Sequence, residues 1–478
     1  MSSASASGEG AVPAPDPAAR RPFPREAGLL EGVPGSERYL SVDELEASTD
    51  RQLRELPGLR AWVCGHDAGG REMRCLEAGE GDRRVLLLGH VHGEEPVGTL
   101  LIEHLLPLFA TTDISRRLGF RLAAIKVCDP EAARLNEGWI DRPYDVLAHV
   151  LRSYRSAYAE QPVWSFPVEY KGYRFDAPPP ETKAMMAAID AAPLDVVMGL
   201  HDCSFYGGYF YVSDADDALL RELVAVRAAA GIPAHRGERE VPYMEQLGDG
   251  IFDALTVAAE YDYYERYGGD AAVQMSAGCD SDEYAMRRWG SHAVLAEAPC
   301  FTSDQVADTS PAGLSRAAAK LAGIALEQEH VEWLRARFDE AAGLLGPAAA
   351  SPWRRAVEGY LRDAARDLPA EKAQARSAPG FSAEATVAQR FDSLYNRELL
   401  ALCRIGQFAR MLDAGAAGDP RLAALRNAAE ARVGERLADV TATAGIRPVP
   451  IRARVQMQLG ALLAALAYAR ERRPPRPR

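Results

Sequence analysis

Nowhere in the chain do two cysteines stand in a C-x-x-C pair. The seven cysteines (Cys64, Cys75, Cys128, Cys203, Cys279, Cys300 and Cys403) are odd in number and scattered. That excludes a paired-cysteine zinc module and disfavours a disulfide framework, so reduced thiols in a cytoplasm are expected. Positive charge is also short. With 55 Lys and Arg against 68 Asp and Glu, a net charge of -13, no basic face is expected for nucleic acid or an anionic membrane. Long hydrophobic runs are missing as well. The most hydrophobic segment, "VQMQLGALLAALAYA" (455–469), falls short of the ~18 residues of a spanning helix and reads as a buried one. The opening stretch "MSSASASGEGAVPAPDPAARRPFPREAG" has no apolar core for a signal peptide, and its small, polar, proline-rich composition predicts a disordered tail over residues 1–35.

What is present, 47% hydrophobic and 26% charged residues, suits a globular protein of two or three domains by length. "RAWVCGHDAGGREMRCLEAG" reads as a hairpin around Gly69 and Gly70. "RVLLLGH" (84–90), "FRLAAIKVC" (120–128), "DVVMGLH" (195–201), "GGYFYVS" and "HAVLAEAPC" (292–300) read as further strands, the apolar runs as strands covered on both faces. Helical spacing separates them, with Val97, Leu100, Leu101, Leu105 and Leu108 as one example. The alternation predicts an α/β fold: a mixed, mostly parallel sheet covered by helices on both faces, over residues 36–306. Beyond 307 strands cease and helical spacing recurs at Val331, Leu334, Phe338 and Leu345. Residues 307–478 therefore read as an α-helical C-terminal region, interrupted by an exposed loop at "LPAEKAQARSAPGFSAEAT".

Ligands in such sheets collect beyond the carboxyl ends of strands, and four strand ends here carry unusual polar residues. "LLLGHVHGEE" delivers His92 and Glu95, "VMGLHDCSF" delivers His201, "VLAEAPC" delivers Glu297, and "IKVCDPEAARLNEGW" delivers Asp129, Arg134 and Asn136. Two imidazoles and a carboxylate form a ligand set for catalytic zinc, with one position left open. A further carboxylate alone in an apolar run, Glu297, suits a general base whose pKa burial raises. Singly, each residue also has a bland reading: a chance His-x-x-Glu, a strand-end His capping backbone, a buried structural Glu. Their joint occurrence at strand ends of one sheet favours a metal site. His90 lies too far up the strand to chelate with Glu95 and is read, like Asp202, as a support at best.

These residues resemble the zinc carboxypeptidase family (peptidase family M14) over roughly residues 60–305. The turn "HGEEPVG" is similar to that of the succinylglutamate desuccinylase and aspartoacylase branch, and "LHDCSFYGGYFY" and "VWSFP" resemble bacterial members. The resemblance implies a carboxypeptidase-like fold, zinc on His92, Glu95 and His201, and Glu297 as general base. It aligns Arg134, Asn136 and Glu137 with the segment in which Asn and Arg clamp a substrate carboxylate, with Glu137 standing where the arginine would be. Arg134 then either supplies the missing cation or acts as the electrophile, and Glu137 either faces the site or pairs with Arg134. "GCDSDEYA" (278–285) aligns with a pocket segment but carries Asp280, Asp282 and Glu283, which form either a solvated loop or a specificity pocket.

The expectation is a cytoplasmic zinc-dependent hydrolase of amide or peptide bonds, holding one Zn2+ per chain and acting on a peptide or small amide. Neither nucleic acid nor membrane is an expected partner; a homo-oligomer or a partner bound through the helical C-terminal region is. The alternatives are a deacylase of N-acyl amino acids and, from another class, a zinc-binding interaction protein without catalysis.

Overall fold

The computed structural model of the protein describes residues 26–140, 145–345, 351–416 and 418–472. The expected tail lies outside these residues as far as position 25, and within its remainder Ala27–Glu31 is a short helix.

Nine strands form one sheet: β1 Leu59–His66, β2 Glu72–Ala78, β3 Arg83–Leu88, β4 Phe120–Ile125, β5 Val196–Cys203, β6 Tyr209–Val212, β7 Gln246–Gly248, β8 Ile251–Asp253 and β9 His292–Pro299. Their order across the sheet is β1-β2-β4-β3-β5-β9-β6-β8-β7. β4, β3, β5 and β9 run parallel at the centre. β1 and β2 form the expected antiparallel hairpin, with Gly70 at φ 77° in its turn. The sheet is mixed and mostly parallel, as the alternation of strands and helices implied.

The central strands are apolar throughout because both faces are covered. Val85 and Leu87 of β3 pack on one side with Met198, Leu200, Val294 and Ala296; Leu86 and Leu88 pack on the other with Val197 and Ala293. Helices Val97–Thr111, Asp217–Ala229 and Ile451–Arg472 cover the first face, and Pro180–Asp190, Val257–Tyr267 and Ser281–Trp289 the second. The apolar stretch near the C-terminus is thus a buried helix laid on the sheet, with Leu459, Leu462, Leu463 and Leu466 in its core. Among the described residues, no helix is long and apolar enough to cross a membrane.

Helices Arg316–Leu345, Pro352–Ser377, Arg397–Ala416 and Pro420–Ala444 build a separate core around Leu334, Leu361, Leu402, Phe408 and Val433. One expectation is corrected here. The stretch read as a loop from Leu368 is helical to Ser377, running through Pro369. Leu368, Ala370 and Ala375 are buried along this turn, and their packing offsets the backbone hydrogen bond that a proline removes. Only after Ser377 does the chain turn, and Glu384–Thr386 then pairs with Pro311–Ser315.

Glu371 of this helix is ion-paired with Lys320 and Arg397. Burial opposes its charge, but the two cations outweigh that and hold its carboxyl at about 2. A carboxyl depressed on folding stabilises above its unfolded pKa of ~4.3, and that contribution fades as pH falls through the folded value. Glu371 is expected to account for about 3 kcal/mol of the stability lost between roughly pH 5 and pH 2. Urea unfolding across that range should show a shallower slope in Glu371→Gln than in wild type; parallel slopes would refute the ion-pair account.

Candidate metal centre

β3 ends at Leu88, and residues 89–96 turn the chain into helix Val97–Thr111. His90 adopts φ 43° and its Nε2 lies 2.7 Å from the Gly93 carbonyl, so its ring folds back onto the turn. Gly93 is needed there because a Cβ would sit 2.6 Å from the Ala132 carbonyl carbon. The turn carries His92 and Glu95 to the mouth of the sheet, both buried.

Neighbouring residues on a strand face opposite sides, and on β5 this separates His201 from Asp202. His201 shares its face with Glu297 of β9, directly opposite in register, and Glu297 is opposite Tyr209 of β6. His201 Nδ1 lies 3.0 Å from Glu95 Oε2 and 3.8 Å from Glu297 Oε1. One ligand atom from each of His92, Glu95 and His201 falls within 4.8 Å of the others. His92 Nδ1 has no hydrogen-bond partner among the described residues. Burial pushes His92 well below the usual imidazole range, toward the neutral form that ligates metals. Burial opposes charge on Glu95 too, but the two imidazoles and Arg155 outweigh it and keep the carboxyl low. A buried cluster of two imidazoles and one carboxylate fits a transition-metal ion. Glu297 differs: burial, reinforced by Glu240 and Glu95, pushes its carboxyl well up.

The cation that serves this cluster is Arg155. Its Nη1 donates to Glu94 Oε1 at 2.9 Å and to Glu95 Oε1 at 2.7 Å. Asn136 does not enter the cavity. It is fully buried and grips the peptide before Arg155, donating to the Tyr154 carbonyl and accepting from the Tyr154 N–H, each at 2.8 Å. Gln407 of helix Arg397–Ala416 donates to the Arg155 carbonyl at 2.8 Å. On the other face, Arg454 of the last helix pairs with Asp202 and also donates to Tyr39 Oη at 2.7 Å. Gln458 donates to the His201 carbonyl at 2.8 Å. The local sequence around Arg155, "LRSYRSAYAE", has no periodicity or motif that marks it.

A cavity of about 250 Å³ opens beside His92, Glu95, His201 and Glu297, with Glu240, Asp280 and Asp282 in its wall. Glu240 accepts from the hydroxyls of Tyr209, at 2.8 Å, and Tyr211. Three expectations are corrected. Arg134 reaches outward to Asp43, Nη2 to Oδ1 at 2.7 Å, so it supplies no cation to the site. Asn136 holds backbone, as described. Glu137 accepts from the Val42 N–H at 2.9 Å, meeting the unpaired donors at the start of helix Val42–Glu55. The acidic segment is neither a solvated loop nor wholly a pocket. Asp280 caps helix Ser281–Trp289, Glu283 accepts from the Val257 N–H at 2.9 Å, and Asp282 is buried in the cavity wall.

These placements predict opposite behaviour for the two arginines. Arg134→Ala breaks a pair with a largely exposed Asp43 and should cost less than about 1 kcal/mol. Arg155→Met leaves two buried carboxylates without their cation and should cost about 3–5 kcal/mol. Urea unfolding of both variants measures this, and the reverse ranking would overturn the assignment of the site's cation.

No family model matches the chain, and no curated protein does. Solved structures do. A carboxypeptidase A from Helicoverpa armigera is 12% identical, with 57% of this chain and 69% of that one covered, at a TM-score of 0.36. A metallo-carboxypeptidase from Burkholderia cenocepacia is 14% identical over 55% of this chain and 60% of that one, at 0.33. A metallo-carboxypeptidase from Pseudomonas aeruginosa, in complex with (2-guanidinoethylmercapto)succinic acid, is 14% identical over 55% and 60%, at 0.34. These solved structures are a carboxypeptidase and two metallo-carboxypeptidases, to which the chain is similar at low identity and over part of its length.

Proposed function

We propose that the protein is a zinc-dependent hydrolase of amide bonds, resembling metallocarboxypeptidases in its chemistry. The observation that carries this is the buried grouping of His92, Glu95 and His201 with a further carboxylate, Glu297, 3.8 Å from His201 and facing the same cavity. Two imidazoles and a carboxylate with an open position suit zinc over harder ions. Zinc held by these residues supplies Lewis acidity toward a carbonyl oxygen and toward water.

The chain's own groups do the rest. Glu297 takes the proton of the attacking water and passes it to the leaving nitrogen. The backbone N–H of Asp202 and the guanidinium of Arg155 fix the two oxygens of Glu95, so its orientation toward the ion is set before substrate arrives. A metal site kept only for interaction has no use for a free carboxylate facing a cavity, which counts against the non-catalytic reading. Leu400, Cys403 and Arg404 of helix Arg397–Ala416 line one side of the cavity, which favours short peptides and small amides, including N-acyl amino acids, over long chains.

Metal analysis should find one zinc per chain, lost in a His92→Ala, His201→Ala double variant. A full equivalent retained there sinks the ligand assignment. A hydrolysis screen of short peptides against acyl amino acids, with and without chelator, identifies the substrate. On that substrate Glu297→Gln should keep zinc and lose roughly 10²- to 10⁴-fold in rate. Near wild-type turnover in this variant would make Glu297 structural.

A further inference from the structure

A second cavity adjoins the first, and the two share Arg155, Tyr158, Trp164, Glu240, Tyr243 and Arg404 in their walls. Helix Val257–Tyr267 lines it on one side with Glu260, Tyr263 and Tyr264, and helix Pro352–Ser377 on the other with Tyr360, Asp363 and Asp367. We infer that this second cavity binds an organic cation, an alkylammonium or guanidinium group forming the far end of the substrate. The word substrate rests on the hydrolase reading above; the cation site does not.

The charge balance points this way. Of the acids lining the cavity, Glu371 is matched by Lys320 and Arg397, and Asp367 by Arg366 and the Tyr264 hydroxyl. Arg155 is committed to Glu94 and Glu95. That leaves Glu240 and Glu260 without an ion pair among the described residues, and Asp363 held only by Arg362 and Arg366 at 3.6 Å, against one further lining guanidinium, Arg404. Among the described residues, the hydrogen bonds Glu240 and Glu260 accept come from tyrosine hydroxyls, those of Tyr209 and Tyr211 and that of Tyr158. Asp363 Oδ1 is buried without a hydrogen bond, with Arg362 and Arg366 no nearer than 3.6 Å. A separate observation points to a bound group here. Tyr263 is 7% exposed, lines the cavity, and its buried hydroxyl has no hydrogen-bond partner among the described residues. Such an atom normally has one.

Aromatic side chains decide between an organic cation and a metal ion. Tyr158, Trp164, Tyr243, Tyr264 and Tyr360 line the cavity, and aromatic rings attract ammonium and guanidinium groups. Arg366 already lies over the Tyr264 ring at 5.4 Å and Arg404 over Tyr360 at 5.8 Å. Among the described residues, His92, Glu95 and His201 are the only group spaced to hold a metal. Because the walls are shared, a molecule anchored in the second cavity extends into the first.

Spermidine is the probe, with succinate as an anion control, titrated calorimetrically into the full chain. Wild type should bind spermidine saturably and succinate at least tenfold more weakly. The His92→Ala, His201→Ala variant should bind spermidine within about twofold of wild type, because the cation site lies apart from the metal ligands. Glu260→Gln combined with Asp363→Asn should weaken binding by at least about thirtyfold, as removal of buried ionic partners does. Tyr263→Phe keeps the ring and should weaken it about fivefold, the worth of one hydrogen bond. It also serves where the double variant does not fold. No saturable binding by wild type, equal affinity for succinate, or unchanged affinity in Tyr263→Phe and in a folded Glu260→Gln, Asp363→Asn chain would each overturn the inference. Binding that survives in the metal-ligand variant yet fails in Glu260→Gln, Asp363→Asn upholds the site even where no amide is hydrolysed.

Discussion

Glu94, Glu95, Asp202 and Glu297 are all buried around the ends of two adjacent strands and the turn after a third, and ionised carboxylates do not enter a protein interior without cations. Two guanidiniums meet this demand from opposite faces of the sheet. Arg155 stands on the cavity side against Glu94 and Glu95, and Arg454 on the other side against Asp202. Neither is near its partners in sequence. Arg155 is placed by Asn136, which grips the preceding peptide, and by Gln407 from the helical region. Arg454 lies on the last helix, its position shared with Tyr39 near the start. The helices beyond residue 307 are therefore part of what makes the candidate site electrostatically feasible.

Much of the sheet could be read from the sequence because its central strands are buried on both faces. "RVLLLGH" and "DVVMGLH" are continuous apolar runs with polar residues only at their ends, and "HAVLAEAPC" carries a single carboxylate, Glu297, within its apolar run. The same reasoning brought His92, Glu95, His201 and Glu297 forward, and the fold places them around one point. Arg155 gave no comparable signal. It sits in the irregular stretch between helix Val146–Arg152 and a short 3₁₀ turn at Tyr158–Glu160, where nothing in composition distinguishes an arginine facing a cavity from one facing solvent. Arg134 and Glu137 failed for a related reason. Aligning a segment fixes its place in the chain, but which side chains turn inward depends on what packs around it, here helix Val42–Glu55, whose Asp43 and first N–H groups draw both outward. The helix through Pro369 was hidden because proline and serine content signals a break locally, while burial of Leu368 and Ala370 is decided by helices far along the chain.

The register of β5 carries the remaining weight. A slip by one residue would exchange the faces of His201 and Asp202, putting an aspartate in the cavity and an imidazole against Arg454. In a strand apolar on both faces, hydrophobic pattern alone does not forbid this, since Val196 and Val197 would simply trade places. Contacts at both ends of the strand do forbid it. At its start, Asp195 accepts from the Arg84 N–H through Oδ2 at 2.9 Å and from the His292 N–H through its carbonyl at 2.8 Å, tying β5 to β3 and β9 at once. At its end, Asp202 meets Arg454, and the other oxygen of Asp202 accepts from the Val97 N–H at 3.1 Å, where helix Val97–Thr111 begins. In between, Gly98 of that helix approaches so closely that a Cβ would lie 2.4 Å from the Leu200 Cβ. The aspartates at the two ends of the strand, Asp195 just before it and Asp202 near its end, not its apolar residues, thus select the alignment in which His201 faces Glu95 and Glu297, and the candidate chemistry follows from two carboxylates that take no part in it.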